Sequence, residues 1–265
     1  MIEEHIYVAK KPDENGLVDF SKEEDDVWRM LYTRQIKLLE GRACEEFSYG
    51  VTQLKLNPDR IPQLGEVSVE LKKATGWQVV PVEALISFKE FFDLLAHRKF
   101  PAATFIRRLE DLDYLKEPDI FHEVFGHCPL LTHAPFANFT ERVGLLGQSM
   151  TKEERVMLAR LYWFTVEFGL ITTPEGLRIY GGGILSSKGE SIYALESAVP
   201  VREVFDLLTI LRTPYRYDEM QKKYFIINSF DDLFALVNTD LRAAFSEAKR
   251  HGLIIEEEEN DVRSC

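Results

Sequence analysis

Residues 151–170 read TKEERVMLARLYWFTVEFGL, and no other stretch constrains the fold as strongly. Thr151 with Glu154 three residues later forms a capping box, so a helix begins here. It then becomes apolar on nearly every side, and a helix of that kind is buried along its second half. At 265 residues and 45% hydrophobic composition, the chain can build a substantial core around it, as one long domain rather than two.

Helical patterns dominate the rest. Residues 23–40 carry Val27, Met30, Leu31 and Leu38 among charges, and Gly41 follows as a stop. Shorter helices are predicted at 66–75, at 88–97 after Ser87, and at 118–126, which opens with Pro118. Helices are also predicted at 200–212 and 229–250, the last ending at Gly252. Strands are predicted at 78–82, 177–180 and 223–228, rich in Val, Ile, Tyr and Phe. The expected fold is mainly α, an α+β arrangement with minor short strands.

The net charge of −12 argues against a nucleic-acid partner. Cys44, Cys128 and Cys265 are few and scattered, which fits a reducing compartment better than a disulfide framework. The first residues lack an apolar signal core, and no uncharged apolar run approaches the ~20 residues that span a membrane. A cytoplasmic protein without membrane partners is expected. The domain should run over 1–265, with an N-terminal extension over about 1–24 and a solvated acidic tail over about 253–265.

FHEVFGHCP, residues 121–129, sets His122 and His127 five residues apart. On an α-helix, five steps rotate the second ring by roughly 140° from the first. Gly126 and Pro129 offer a local way out: the helix can end near Gly126, letting His127 bend back on an irregular turn. A third candidate ligand is Glu167, whose neighbours Trp163, Phe164, Val166, Phe168 and Leu170 predict burial. A buried carboxylate needs a cation or a partner. Two His and one carboxylate with open coordination positions suit non-haem Fe(II). Zinc is the other candidate, with Glu123 as the base of a hydrolase, although zinc peptidases space the two His by four. A third reading has no enzyme at all: a helical interaction protein in which these groups pair structurally. His5, His97, His133 and His251 show no partner pattern, and Cys128 reads as a small core residue.

The segments EPDIFHEVFGHCPLL, LYWFTVEFGL and YGGGILSS, with GRACEEF, IPQL, TGWQVVPV and FPAATFIRR upstream, resemble the pterin-dependent aromatic amino acid hydroxylases. The likeness runs in family order from about residue 25 to about 230 and is nearest to the bacterial phenylalanine-hydroxylating branch. It implies para-hydroxylation of L-phenylalanine to L-tyrosine with O2 and a tetrahydropterin (tetrahydrobiopterin or a bacterial analogue). By resemblance, His122, His127 and Glu167 hold one Fe(II), and Glu123 faces the pterin through water. Phe91 matches the aromatic that stacks on the pterin; Val82, Ala84 and Ile86 match its edge, and Tyr162 a tyrosine near both iron and cofactor. Arg107 matches the arginine that binds the amino acid's carboxylate, although from sequence either Arg107 or Arg108 could be a surface charge. Trp163 and Phe168 match aromatic walls, Gly183 and Ser186 the loop that contacts substrate, and Tyr215 a mobile tyrosine that closes toward the pocket. The triplet Gly181–Gly183 also reads as a simple turn.

The chain departs from the family before the first ligand His. Leu115 and Lys116 precede Glu117-Pro118-Asp119, where many members have Thr-Pro. Trp163 argues against tryptophan as substrate, and Tyr217 against tyrosine. The chain is too short for the regulatory domain and C-terminal oligomerisation helix of animal members. A monomer or dimer is expected, not their tetramer.

Overall fold

A computed structural model describes residues 7–83, 86–113, 117–237 and 239–254. Helix α1 (Lys22–Leu39) starts at Ser21, whose side chain and Glu24 form a capping box. Its buried stripe is Val27, Trp28, Leu31, Gln35 and Leu39, whereas Met30 is exposed. Gly41 adopts φ +70, the left-handed turn that suits glycine after a helix. Helices α2 (Glu45–Gln53) and α3 (Leu64–Ala74) follow. Strand β1 (Gln78–Val82), helix α4 (Phe88–Ala96) and strand β2 (Lys99–Ala103) then form a βαβ unit, with Gln78 opposite Lys99 in parallel register. Helix α5 (Ala134–Gln148) lies close on α4 because Gly144 and Gly147 have no side chains: a Cβ at 144 would fall 2.6 Å from the Leu95 carbonyl carbon.

The second half of the chain begins with α6 (Lys152–Tyr162), capped by Thr151 and Glu154 as the sequence indicates. Strands β3 (Leu170–Thr173) and β4 (Gly176–Ile179) form an antiparallel pair. A short helix α7 (Gly182–Leu185) and helix α8 (Lys188–Glu196) lead to β5 (Val201–Val204), α9 (Leu207–Arg212) and β6 (Lys223–Ile227). The sheet order is β4-β3-β6-β5, with β6 parallel to both neighbours. Helices α10 (Phe230–Val237) and α11 (Leu241–His251) complete the domain.

Two predicted helices require correction. Residues 201–204 of the predicted helix 200–212 form β5, because Val201–Val204 pair with β6; Asp206 then caps α9 by accepting from the Thr209 N–H at 2.8 Å. The predicted helix 229–250 is two helices, since Asp240 caps α11 through the N–H groups of Arg242 and Ala243. Between residues 7 and 24, Tyr7 stacks on Phe105 at 5.0 Å and Val18 is buried, so this part of the predicted extension packs onto the body. His5, Cys265 and residues 255–265 lie outside the described residues, as do Ala84, Leu115 and Lys116. Among the described residues, no helix is long and apolar enough to cross a membrane.

Candidate metal centre and active site

The helix carrying His122 does not end at Gly126. Phe121–His127 is π-helical and continues through His127. Its hydrogen bonds run i to i+5, so residues five apart stack above one another where an α-helix would splay them. One face of the turn is core: Phe121 stacks on Phe125 at 4.6 Å, with Trp28 and Phe47 edge-on to them, each at 5.5 Å. The other face carries the histidines. Their Nε2 atoms lie 3.2 Å apart, within reach of a single ion.

Glu167 arrives from a second π-helical turn, Trp163–Glu167, which ends the helix begun by α6. Its Oε2 lies 3.2 Å from His127 Nε2 and 3.8 Å from His122 Nε2. Donors ~2.0–2.1 Å from one metal at right angles stand about 3 Å apart, so this triangle fits a single ion. Two nitrogens and one anionic oxygen form a mixed donor set of the kind iron accepts.

Glu123 also brings an oxygen within 4.8 Å of both histidine donors. Its electrostatics separate it from Glu167. Burial pushes the Glu123 carboxyl well above the usual range, with Glu167 and Asp119 adding to the rise. Burial would raise Glu167 as well, but His127 and His122 outweigh it and hold that carboxyl below its usual value. Burial therefore favours the neutral form of Glu123, whereas the two histidines favour the anion at Glu167, and the anion is the form that suits a metal. Burial, with His127 beside it, drives His122 down to about 4, so this imidazole is neutral at physiological pH.

Ser186 fixes which nitrogen of His122 faces the centre. Its hydroxyl lies 2.9 Å from the Gly182 carbonyl and 2.9 Å from His122 Nδ1. A hydroxyl has one proton, which goes to the carbonyl, so it accepts from Nδ1–H and leaves the Nε2 lone pair free. The resemblance matches Ser186 to the loop that contacts substrate; its hydroxyl here meets His122 and the carbonyls of Gly182 and Gly183.

Gly181, Gly182 and Gly183 are not a simple turn. None has positive φ, yet each lacks room for a side chain. A Cβ at 182 would sit 2.7 Å from His127 Nε2 and closer still to other atoms of that ring. A Cβ at 181 would overlap the Glu167 carbonyl, and one at 183 would come within 3.1 Å of it. Gly126 answers from the opposite side, where a Cβ would lie 2.7 Å from the Gly182 carbonyl oxygen. The glycines let α7 press flat against both ligand-bearing turns.

Around the donors, Phe91 meets Tyr162 edge-on at 5.1 Å. The Tyr162 hydroxyl is buried without a hydrogen-bond partner, as is His127 Nδ1. Val82 and Ile86 are half-buried at the end of β1 and beyond it. Trp163 is sandwiched between Phe168, at 4.6 Å, and Tyr215, which stacks on it at 4.3 Å and 16°. Tyr217 is exposed. Arg107 and Arg108 separate cleanly: Arg107 is buried and Arg108 exposed.

Three contributors escaped the sequence reading. Asp119, fully buried, accepts from the Arg107 side chain and from the backbone N–H groups of Arg107 and His122. Its only sequence signal is its place in EPDIFH. Gln221 accepts from the Trp163 indole at 2.9 Å, and Glu190 is buried behind it. Neither stands out within its charged stretch.

The family model of the biopterin-dependent aromatic amino acid hydroxylases matches residues 1–250. The phenylalanine-4-hydroxylase of Pseudomonas aeruginosa is 54% identical over 247 residues, covering 93% of this chain and 94% of that protein. The cold-active phenylalanine hydroxylase of Colwellia psychrerythraea superposes with a TM-score of 0.92 at 54% identity, over 94% of this chain and 96% of its own. That of Chromobacterium violaceum, solved with iron(III) and oxidised 7,8-dihydrobiopterin, gives 0.85 at 45% identity, over 92% and 90%. The sequence match, the superposition and the donor triangle agree: this chain belongs to the biopterin-dependent aromatic amino acid hydroxylases.

Proposed function

We propose that this chain hydroxylates L-phenylalanine at the para position to give L-tyrosine, using O2 and a tetrahydropterin at a mononuclear Fe(II) site. The observation that carries the reading is the convergence of His122, His127 and Glu167 on one point, with the histidines holding the Glu167 carboxyl below its usual value. The iron, when bound, supplies O2 activation, and the pterin supplies the electrons.

His122, His127 and Glu167 hold the metal, and Ser186 orients His122 toward it. Phe91, Val82 and Ile86 line the pterin, with Tyr162 beside it. Glu123, whose carboxyl burial pushes well above its usual range, faces the pterin through water. Arg107 receives the α-carboxylate of phenylalanine, its plane preset by Asp119. Trp163, Phe168 and Tyr215 wall the ring, with Gly183 beneath Phe168. The family match speaks against a zinc hydrolase built on the same donors.

One catalytic domain, monomeric or dimeric, is proposed. A cytoplasmic location is supported by the two free, buried thiols Cys44 and Cys128. The test is tyrosine formation from phenylalanine with Fe(II), tetrahydropterin and O2, leaving out one component at a time. Each omission should abolish the product; tyrosine formed without pterin, or hydrolysis dependent on zinc, would overturn the reading.

A further inference from the structure

One buried polar chain is left unexplained by that chemistry. The Trp163 indole N–H donates to Gln221 Oε1 at 2.9 Å. Gln221 is 5% exposed and precedes β6 in the segment 213–222 that follows α9. Its Nε2 donates to the carbonyls of Arg216 at 2.7 Å and Glu219 at 3.3 Å. Its backbone N–H donates to Glu190 Oε1 at 3.1 Å, and the Tyr224 hydroxyl donates to that same oxygen.

These partners admit one orientation of the amide. Turned over, Nε2 would face the indole N–H, donor against donor, and Oε1 would face two carbonyls. Gln221 is thus fixed by its backbone through Glu190 and by its side chain through the 213–222 segment. Trp163, in contrast, is otherwise held by stacking, between Tyr215 and Phe168. Offset stacking tolerates sliding and in-plane rotation, whereas a hydrogen bond is directional. The bond to Gln221 is the contact that fixes the edge of the indole, and the same amide ties it to the segment carrying Tyr215.

We propose that Gln221 is a positioning residue for the aromatic ring of the amino acid, acting by holding Trp163 at a set angle in the pocket wall. The inference rests on Trp163 walling the amino-acid site, as proposed above.

The test is a double-mutant cycle with Gln221→Leu and Trp163→Phe, reading KM and kcat for phenylalanine. Alone, Gln221→Leu should raise the phenylalanine KM by about two- to tenfold, the range for one lost neutral hydrogen bond. The change in kcat should be smaller, and the pterin KM and iron content should stay as they are. In the Trp163→Phe background there is no N–H to hold, so Gln221→Leu should add no further rise. An equal rise in both backgrounds, or no rise with Trp163 present, overturns the proposal.

Fluorescence gives a second reading without turnover. Trp28 and Trp77 are fully buried, so the difference between wild type and Trp163→Phe isolates the Trp163 emission. Gln221→Leu should shift that emission; an unshifted band counts against the contact. Should Gln221→Leu fail to fold, Gln221→Asn replaces it and is judged by the same outcomes. It keeps an amide but is one methylene too short to span the indole and both carbonyls. Failure of the underlying reading appears separately, as wild-type protein that makes no tyrosine.

Discussion

Asp119 holds the Arg107 guanidinium along one edge, Nε to Oδ2 at 2.8 Å and an η nitrogen to Oδ1 at 2.9 Å. The same carboxylate accepts the His122 backbone N–H at 3.0 Å. Burial would raise Asp119 and lower Arg107, yet each outweighs this for the other: the Asp119 carboxyl falls below its usual range and Arg107 rises. Arg107, the arginine proposed for the substrate carboxylate, and the backbone of His122, a proposed metal ligand, are therefore pinned by one buried carboxylate.

This pair changes how Arg107 must be tested. Arg107→Met leaves Asp119 buried without a counter-charge, which destabilises by about 3–5 kcal/mol. Denaturant melts should register that loss alongside any kinetic effect. Arg107→Lys keeps the charge but loses the fork. It should fold better than Arg107→Met and still raise the phenylalanine KM about tenfold or more, as expected for a lost charged hydrogen bond of ~1.5–3 kcal/mol. Arg108→Met, at an exposed site, should stay within about 0.5 kcal/mol of wild type. An unchanged phenylalanine KM in Arg107→Lys would remove Arg107 from the substrate site.

Gly182→Ala drives a methyl group into the His127 ring. Overpacking of this kind costs about 1–3 kcal/mol, and here the strain falls on a metal donor. Iron titration should show affinity at least about tenfold weaker, the effect of ~1.4 kcal/mol. Gly65→Ala is the control, since a Cβ there meets nothing within 4 Å inside α3. It should be neutral or stabilising by up to about 1 kcal/mol. Equal iron affinity in both variants would mean that α7 moves away freely.

Glu167→Ala should abolish tight iron binding while the fold persists, because it removes the anionic donor of the triangle. Glu123→Gln should leave iron loading unchanged, because Glu123 is not one of the three proposed donors and an amide keeps the shape of the carboxyl. Its effect should appear in pterin use. Metal analysis of both purified variants decides the matter: iron lost from Glu123→Gln and kept in Glu167→Ala would reverse their roles.

Phe91→Ala removes a half-buried ring that touches Phe92 and Tyr162 edge-on. A stacking partner of the pterin is worth ~0.5–1.5 kcal/mol beyond its area. The pterin KM should rise about two- to tenfold with iron content unchanged. Phe91→Leu restores volume without a π face, so it should recover stability but not the KM. If the leucine variant recovers both, Phe91 is a packing residue.

Much of the fold was legible in the sequence because its signals are local. Ser87 and Thr151 cap the helices that follow them, and Gln78–Val82 and Lys223–Ile227 are strands as their β-branched residues predict. Val201–Val204 misled because its hydrophobic pattern suits either period, and only pairing with β6 decides. Glu167 stood out for the same reason as the helix around it, an acid amid Trp, Phe and Val, although it is only half-buried and turns its carboxylate to His122 and His127. Gln221 and Glu190 were not, since their partners lie 58 and 31 residues away across the fold. The five-residue spacing of His122 and His127 was read correctly as incompatible with an α-helical face. The resolution was a wider helical turn, which no residue type in FHEVFGH announces.

Two π-helical turns carry all three donors, and this has a consequence for how such a gene can vary. A π turn is an α-helix with one residue to spare. Inserting one further residue between 122 and 127 would set the histidines six apart, a spacing that neither an α-helical nor a π-helical turn brings to one face. Every side chain would remain of the same kind, but the histidines would no longer face one way. Loops elsewhere absorb insertions and deletions with little effect. Here the count of residues, as much as their identity, is what inheritance has to preserve.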